Sequence, residues 1–304
     1  MGRVIVVGAG VVGLTCAVRL LEAGHRVDVV ARDLPLETTS VVAAALWSPY
    51  VNEQEHVLRW SRRAYDVYAG LAADDRTGVR LREGTEVFRE ESPPPWWYRA
   101  LPGDAGPDRE TRLPPGFAAG WTMTCPVIEM PVYLRWLVAR VAELGGTITR
   151  MNLSSLPTDS GALVVNASGI GAKHLAADPT VGPVRGQVMY VEQVGLERWV
   201  LDSDAPTYVI PRGRDIVVGG THVAGEWSRT VEPATASSIL ERATALAPEI
   251  GGARVLGHKV GLRPARPAVR LERDGDVVHC YGHGGCGVTV SWGCADDVVG
   301  LVDG

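Results

Sequence analysis

Lysine is nearly absent: Lys173 and Lys259 are the only two among thirty basic residues. A bias of this kind toward arginine is what a GC-rich bacterial genome leaves behind. Positive charge is not in surplus either. A net charge of −5 and a pI near 5.8 exclude the electrostatic footprint needed for nucleic acid or an anionic membrane surface. The five cysteines, Cys16, Cys125, Cys280, Cys286 and Cys294, form no CxxC pair and are odd in number, so a reducing cytoplasm is expected and no metal site is. No apolar run is long enough to span a bilayer. No secretory leader is read at the N-terminus, and Leu301-Val302-Asp303-Gly304 is no peroxisomal tripeptide. Internal repeats and low-complexity tracts are missing too. What remains is a globular chain of 304 residues, 46% hydrophobic and 21% charged, long enough for one large domain or two interlocked ones.

Hydrophobic periodicity places the first elements. Arg3 to Val7 is a β-branched run expected as a buried parallel strand. Leu14, Ala17, Val18 and Leu21 recur at helical spacing, with Gly24 where a C-cap belongs, and Arg26 to Val30 reads as the next strand. Residues 55–71 and 131–144 read as helices, the second stopped by Gly145-Gly146. Short strands are expected at 148–149 and 162–166, and an antiparallel set at 188–191, 207–210 and 216–219. A helix over 233–246, a strand over 277–281 and a last helix over 288–302 complete the pattern. The Pro/Trp-rich stretch 92–115 is expected to be irregular and to wrap the surface.

Two glycine loops carry the chemistry. Gly8-Ala9-Gly10-Val11-Val12-Gly13 stands between the first strand and helix in GxGxxG register. Gly8 permits the tight turn, Gly10 lets a pyrophosphate approach the backbone, and Gly13 lets helix and strand pack closely. The helix N-terminus then supplies free N–H groups and partial positive charge. The second loop, Gly282-His283-Gly284-Gly285-Cys286-Gly287-Val288-Thr289, opens the last helix. Backbone-exposing loops at both ends suggest one long cofactor gripped from two sides, as a flavin dinucleotide would be; a nicotinamide dinucleotide needs only the first. Asp33 stands twenty residues past Gly13, where a ribose-binding acid belongs, but Arg32 beside it equally suits a 2′-phosphate. Thr39 and Ser40 offer hydroxyls for phosphates, and Ala44-Ala45-Leu46 offers small residues against which a flat ring can lie. In Gly261-Leu262-Arg263-Pro264-Ala265-Arg266-Pro267, two prolines hold the chain extended on both sides of Arg266; a stiffened arginine suits carboxylate capture, although for a lone arginine a surface ion pair is the better reading.

These segments resemble the D-amino-acid oxidase family. The resemblance rests on VVGAGVVGLTCA, ARDLP, VAAALWSPY, Asn166 to Gly169, Arg185-Gly186-Gln187, GLRPARPAVRLE and YGHGGCGVTVSWGCA, and is thinnest over 51–119. It implies an α/β chain with a Rossmann-like FAD-binding domain (1–50, 126–185, 255–304) and an interleaved, mostly antiparallel α+β substrate domain (51–125, 186–254). The implied reaction is FAD-dependent oxidation of D-amino acids, neutral or hydrophobic ones foremost, with O2 as acceptor. Arg263 is implied as the carboxylate anchor, Tyr208 as a second donor to the same carboxylate, and the Gly285 carbonyl as acceptor for the amine. Thr289 is implied to bond the flavin pyrimidine oxygen. The cofactor-binding set is Gly8 to Gly13, Arg32, Asp33, Thr39, Ser40, Ala44, Ala45, Leu46, Leu153, Ser168, Arg263, Gly284, Gly285, Gly287, Val288 and Thr289. A homodimer is the family expectation.

His283 is expected to support the loop rather than act as a base, Cys286 to pack, and Tyr50 either to line the pocket or to pack. The connection from Trp199 to Tyr208 is shorter than in the animal enzymes, so an entrance without a lid is expected. Four alternatives stand. A D-aspartate oxidase needs a second cation for the side-chain carboxylate. A glycine or sarcosine oxidase matches the GxRP and GHGG runs less well. An NADP-dependent reductase explains Arg32 but gives the second loop no task. A non-catalytic flavin protein requires a blocked pocket.

Overall fold

The computed structural model describes residues 2–50 and 55–304. The expected domain boundary at 50/51 abuts residues 51–54, which lie outside the described residues. In chain order, β1 (Arg3–Val7), α1 (Val11–Glu22) and β2 (Arg26–Ala31) form the expected βαβ unit, β1 and β2 running parallel. Then come α2 (Glu55–Leu71), β3 (Val79–Phe88), β4 (Asp108–Arg109), β5 (Ala119–Ile128), α3 (Met130–Glu143), β6 (Thr147–Arg150) and β7 (Leu163–Asn166). A short α4 (Ala172–Leu175) precedes β8 (Gly182–Glu192), β9 (Trp199–Asp202), β10 (Thr207–Pro211), β11 (Asp215–Gly219) and β12 (Val223–Ala224). The chain closes with α5 (Pro233–Leu246), β13 (Val255–Asp274), β14 (Val277–His283) and α6 (Gly287–Asp303).

The strands form one sheet along the path β4-β5-β3-β9-β10-β11-β8-β13-β14-β7-β1-β2-β6, with β12 off this path and paired to β8. Its two halves differ in chemistry. From β14 to β6 the ladders are parallel, and β1 and β7 are apolar runs buried on both faces, as helices on either side require. From β5 to β8 they are antiparallel except where β3 meets β9.

The hinge between the halves is β13. It pairs with β8 through Ala265 and with β14 from Ala265 onward, so the chain crosses at Pro264 to Pro267. The two prolines cannot donate to a ladder, which is why the exchange of partners falls there. The sequence reading found only residues 261–267 of this twenty-residue strand. It also expected residues 92–115 to wrap the surface, yet Trp97 and Tyr98 are 3% and 6% exposed, with Trp97 edge-on to Trp47 at 6.0 Å. Aromatic area outweighed the prolines flanking it.

Candidate functional site

The glycines of the first loop have separate tasks. Gly8 holds φ +118°, and a Cβ there would lie 2.4 Å from the Ala167 carbonyl oxygen. A Cβ on Gly13 would stand 2.0 Å from the Gly8 oxygen, so Gly13 is required where α1 meets its own loop. At Gly10 the nearest atom is the Ser40 hydroxyl, 3.1 Å from a built Cβ, and that hydroxyl accepts from the Val11 N–H at 3.0 Å. Gly10 is the N-cap of α1, so the helix opens directly onto a cavity.

That cavity has a volume of about 840 Å³. The α6 N-terminus opens onto it as well, through Gly287, Val288 and Thr289. Two helix starts from opposite ends of the sequence thus face one space. Arg32 and Asp33 stand at its edge as a bidentate pair, 3.0 and 2.6 Å, so neighbouring Asp33 already partners the Arg32 charge. Thr39 and Ser40, the Ala44 to Leu46 segment, Leu153, Ser168, Gly284 and Gly285 all line it. Ala45 adopts φ +57° there, and its carbonyl accepts from Ile128 N–H at 3.0 Å. Of the expected cofactor residues, Gly13 alone is set back from the wall, as its packing role demands.

Some expected hydroxyls are engaged within the protein. Thr39 Oγ1 donates to the Leu262 carbonyl at 3.2 Å, and Ser168 Oγ donates to Asn166 Oδ1 at 2.6 Å. Thr289 Oγ1 accepts from the Ser48 N–H at 3.3 Å and lies 3.3 Å from the Ser48 carbonyl. Cys286 Sγ meets the same carbonyl at 3.6 Å, which ties the second loop to residue 48.

Arg263 and Tyr208 meet in this cavity from neighbouring regions of the sheet. Arg263 Nη1 donates to the Thr221 carbonyl at 3.0 Å, which fixes the guanidinium over the Gly186 backbone. Tyr208 lies against Gly219 and Gly220, where a Cβ would come within 2.2 and 2.8 Å of its ring and hydroxyl. Burial raises the Tyr208 phenol above its ordinary value, against the lowering effect of Arg263 beside it, so it keeps its proton and can donate. Tyr50 lines the cavity, with its hydroxyl 2.0 Å from where a Gly285 Cβ would stand. Arg266 is engaged in an ion pair, the plainer of its two readings, and is not free for carboxylate capture. Its Nε donates to buried Asp178 at 2.9 Å and its Nη1 to the Ala268 carbonyl, so it holds the β13 crossing together.

His283 is 5% exposed, and burial pushes it down to about 4, so it is neutral at ordinary pH. Its Nε2 lies 3.9 Å from Cys280 Sγ. The donor atoms of Cys280, His283 and Cys294 lie within 4.8 Å of one another, a grouping that sequence spacing did not reveal. Burial pushes the Cys294 thiol up, so it packs as a protonated group. The sequence reading missed Glu86, Leu201 and Ser203, which line the far wall; β3 was not recognised, and only cross-strand register brings these residues together.

The residues present fit a flavin dinucleotide. A glycine cradle that a Cβ would fill, two helix N-termini and a long, largely apolar cavity are all in place. Comparisons with known proteins agree. A family model described as FAD dependent oxidoreductase matches residues 3–301. The chain is 50% identical over 313 residues to a D-amino-acid oxidase of Rubrobacter xylanophilus, covering 99% of this chain and 96% of that protein. A Streptomyces coelicolor D-amino-acid oxidase is 44% identical, with the same coverage. A human D-aspartate oxidase is 36% identical over 322 residues, covering 99% and 94%. Among solved structures, a glycine oxidase from Geobacillus kaustophilus has a TM-score of 0.84 at 21% identity, covering 100% and 95%, a likeness of fold.

Proposed function

The chain belongs to the FAD-dependent oxidoreductase family, and we propose that it oxidises D-amino acids to imino acids, which hydrolyse to 2-oxo acids and ammonia while O2 becomes hydrogen peroxide. The observation that carries this reading is the Arg263–Tyr208 pair in the cavity onto which both helix N-termini open. FAD supplies the acceptor for the two electrons that leave the substrate α-carbon.

The protein's part is alignment. Arg263 takes the substrate carboxylate with a guanidinium held by Thr221, a fork suited to two parallel charge-assisted bonds. Tyr208 donates its retained proton to the same carboxylate. The Gly285 carbonyl accepts from the substrate amine, so carboxylate and amine are both held, and the requirement that the α-hydrogen face the electron acceptor then selects one enantiomer. The apolar wall, including Leu46, Val188 and Ile210, keeps water out and suits neutral side chains. Neutral His283 moves no proton.

The β9–β10 connection is four residues, Ser203 to Pro206, pinned by Asp202 Oδ1, which accepts from the N–H groups of Asp204 and Ala205. So short a turn supports an entrance without a lid. We divide the chain into a cofactor region (1–50, 126–185, 255–304) and a substrate region (51–125, 186–254), the parallel and antiparallel halves of the sheet supporting that division. A homodimer acting in the cytoplasm completes the proposal, tested by light scattering on the purified protein and fractionation of the source cells. No described helix is long and apolar enough to cross a membrane.

The deciding experiment is a visible spectrum. Purified protein carries a flavin spectrum that bleaches anaerobically with D-alanine and not with L-alanine. A colourless protein that binds NADP, or bleaching by neither enantiomer of any amino acid tried, removes the reading.

A further inference from the structure

Glu86 is 4% exposed, yet it lines the same cavity as Arg263 and Tyr208. Its position follows from register. Glu86 on β3 pairs with Leu201 on β9, and Leu201 pairs with Tyr208 on β10, so the three side chains share one face in one cross-strand row. All three line the cavity. Two strand spacings put the Glu86 and Tyr208 backbones roughly 10 Å apart. A substrate held by its carboxylate at Tyr208 and Arg263 therefore reaches Glu86 only with a long side chain.

Two hydroxyls hold the carboxyl. Tyr98 donates to Oε2 at 3.1 Å, and Ser203 bonds to Oε1. No basic side chain pairs with Glu86 among the described residues, although other buried carboxylates here have one, such as Asp178 with Arg266 and Asp202 with Arg89. A carboxylate offers about four acceptor sites, so two hydroxyls leave capacity for another donor. Burial lifts the group to about 7, so it rests near the balance between acid and carboxylate, and a cation brought beside it draws it to carboxylate.

We propose that Glu86 is a specificity-determining residue that extends the substrate range from neutral D-amino acids to those with a long cationic side chain, D-lysine and D-arginine. This rests on the D-amino-acid oxidase reading above. The same carboxylate disfavours a side chain of that length that ends in a second negative charge.

The test compares the holoenzyme on D-lysine, D-arginine and D-norleucine, a neutral analogue of lysine's length. The wild type oxidises all three, and Glu86→Gln lowers the ratio of kcat/KM for D-lysine over D-norleucine by roughly tenfold or more, chiefly through KM, as loss of a desolvated charge pair predicts. An unchanged ratio in folded, flavin-loaded Glu86→Gln overturns the proposal, as does a wild type that oxidises D-norleucine but neither basic substrate. If D-norleucine is not oxidised either, the underlying reading fails instead. A second measurement needs no variant. Calorimetry on the wild type should find δ-guanidinovalerate binding more tightly than hexanoate, and equal binding overturns the proposal.

Discussion

The guanidinium of Arg263 lies directly over Gly186: a Cβ built on that glycine would stand 2.5 Å from Nη1 and 2.6 Å from both Cζ and Nη2. Gly186 is thus the floor on which the proposed carboxylate anchor rests. Arg263→Ala should cost about 2–5 kcal/mol in kcat/KM for D-alanine, since it removes one partner of a charge pair. Gly186→Ala should raise KM in the same direction but less, by displacing the fork without deleting it. Steady-state kinetics with FAD occupancy checked by spectrum reads both. Retention of normal kcat/KM by Arg263→Ala would overturn the anchor assignment.

Arg266, three residues on, should behave in the opposite way. Its partner Asp178 also accepts from Tyr281 Oη at 3.0 Å and from the Thr180 hydroxyl and N–H. Arg266→Ala should lower stability by about 1.5–3 kcal/mol, the usual worth of a hydrogen bond to a charged group, and leave KM for D-alanine unchanged. Thermal unfolding and kinetics on the same preparation separate the two arginines. A raised KM with unchanged Tm would place Arg266 in the substrate site.

The difference between these arginines marks how far the sequence could be read. The βαβ unit was legible because β1, α1 and β2 each carry their own periodicity and Gly8, Gly10 and Gly13 punctuate them. Helices α2 and α5 were recovered residue for residue from their apolar faces. β13 was not, because the two prolines showed only that residues 261–267 are extended, while its pairing with two different neighbours on either side of them is set by tertiary structure. Residues 79–88 show no clean alternation, since Gly84 to Val87 are buried on both faces. Glu86 was therefore invisible as a cavity residue. Choosing Arg263 as the carboxylate anchor came from the family resemblance, since spacing alone marks no arginine of this segment as more than an ion-pairing residue.

The first loop predicts two distinct failures. A Cβ on Gly13 meets backbone, the Gly8 carbonyl at 2.0 Å, and neither side can move away cheaply. Gly13→Ala should destabilise the fold by roughly 1–3 kcal/mol as an overpacked site and yield colourless protein. On Gly10 a Cβ meets only the Ser40 hydroxyl, which can rotate. Gly10→Ala should keep its Tm as apoprotein while FAD affinity falls. Equal losses of Tm in the two variants would contradict this separation.

Two buried groups pull stability in opposite directions with pH. His283 sits at about 4 in the fold against 6.5 ordinarily, so its contribution is present above pH 6.5 and is lost as pH falls toward 4. Glu86 sits at about 7 against 4.5, so the fold favours its neutral form, and stability falls as pH rises from 4.5 to 7. His283→Gln should therefore lose less Tm than the wild type between pH 7 and pH 5. Glu86→Gln should gain Tm relative to the wild type as pH rises across the same interval. Scanning calorimetry at closely spaced pH values reads both slopes. If the His283→Gln slope matches the wild type, the histidine is not held neutral behind the loop, and its exclusion from proton transfer falls with it.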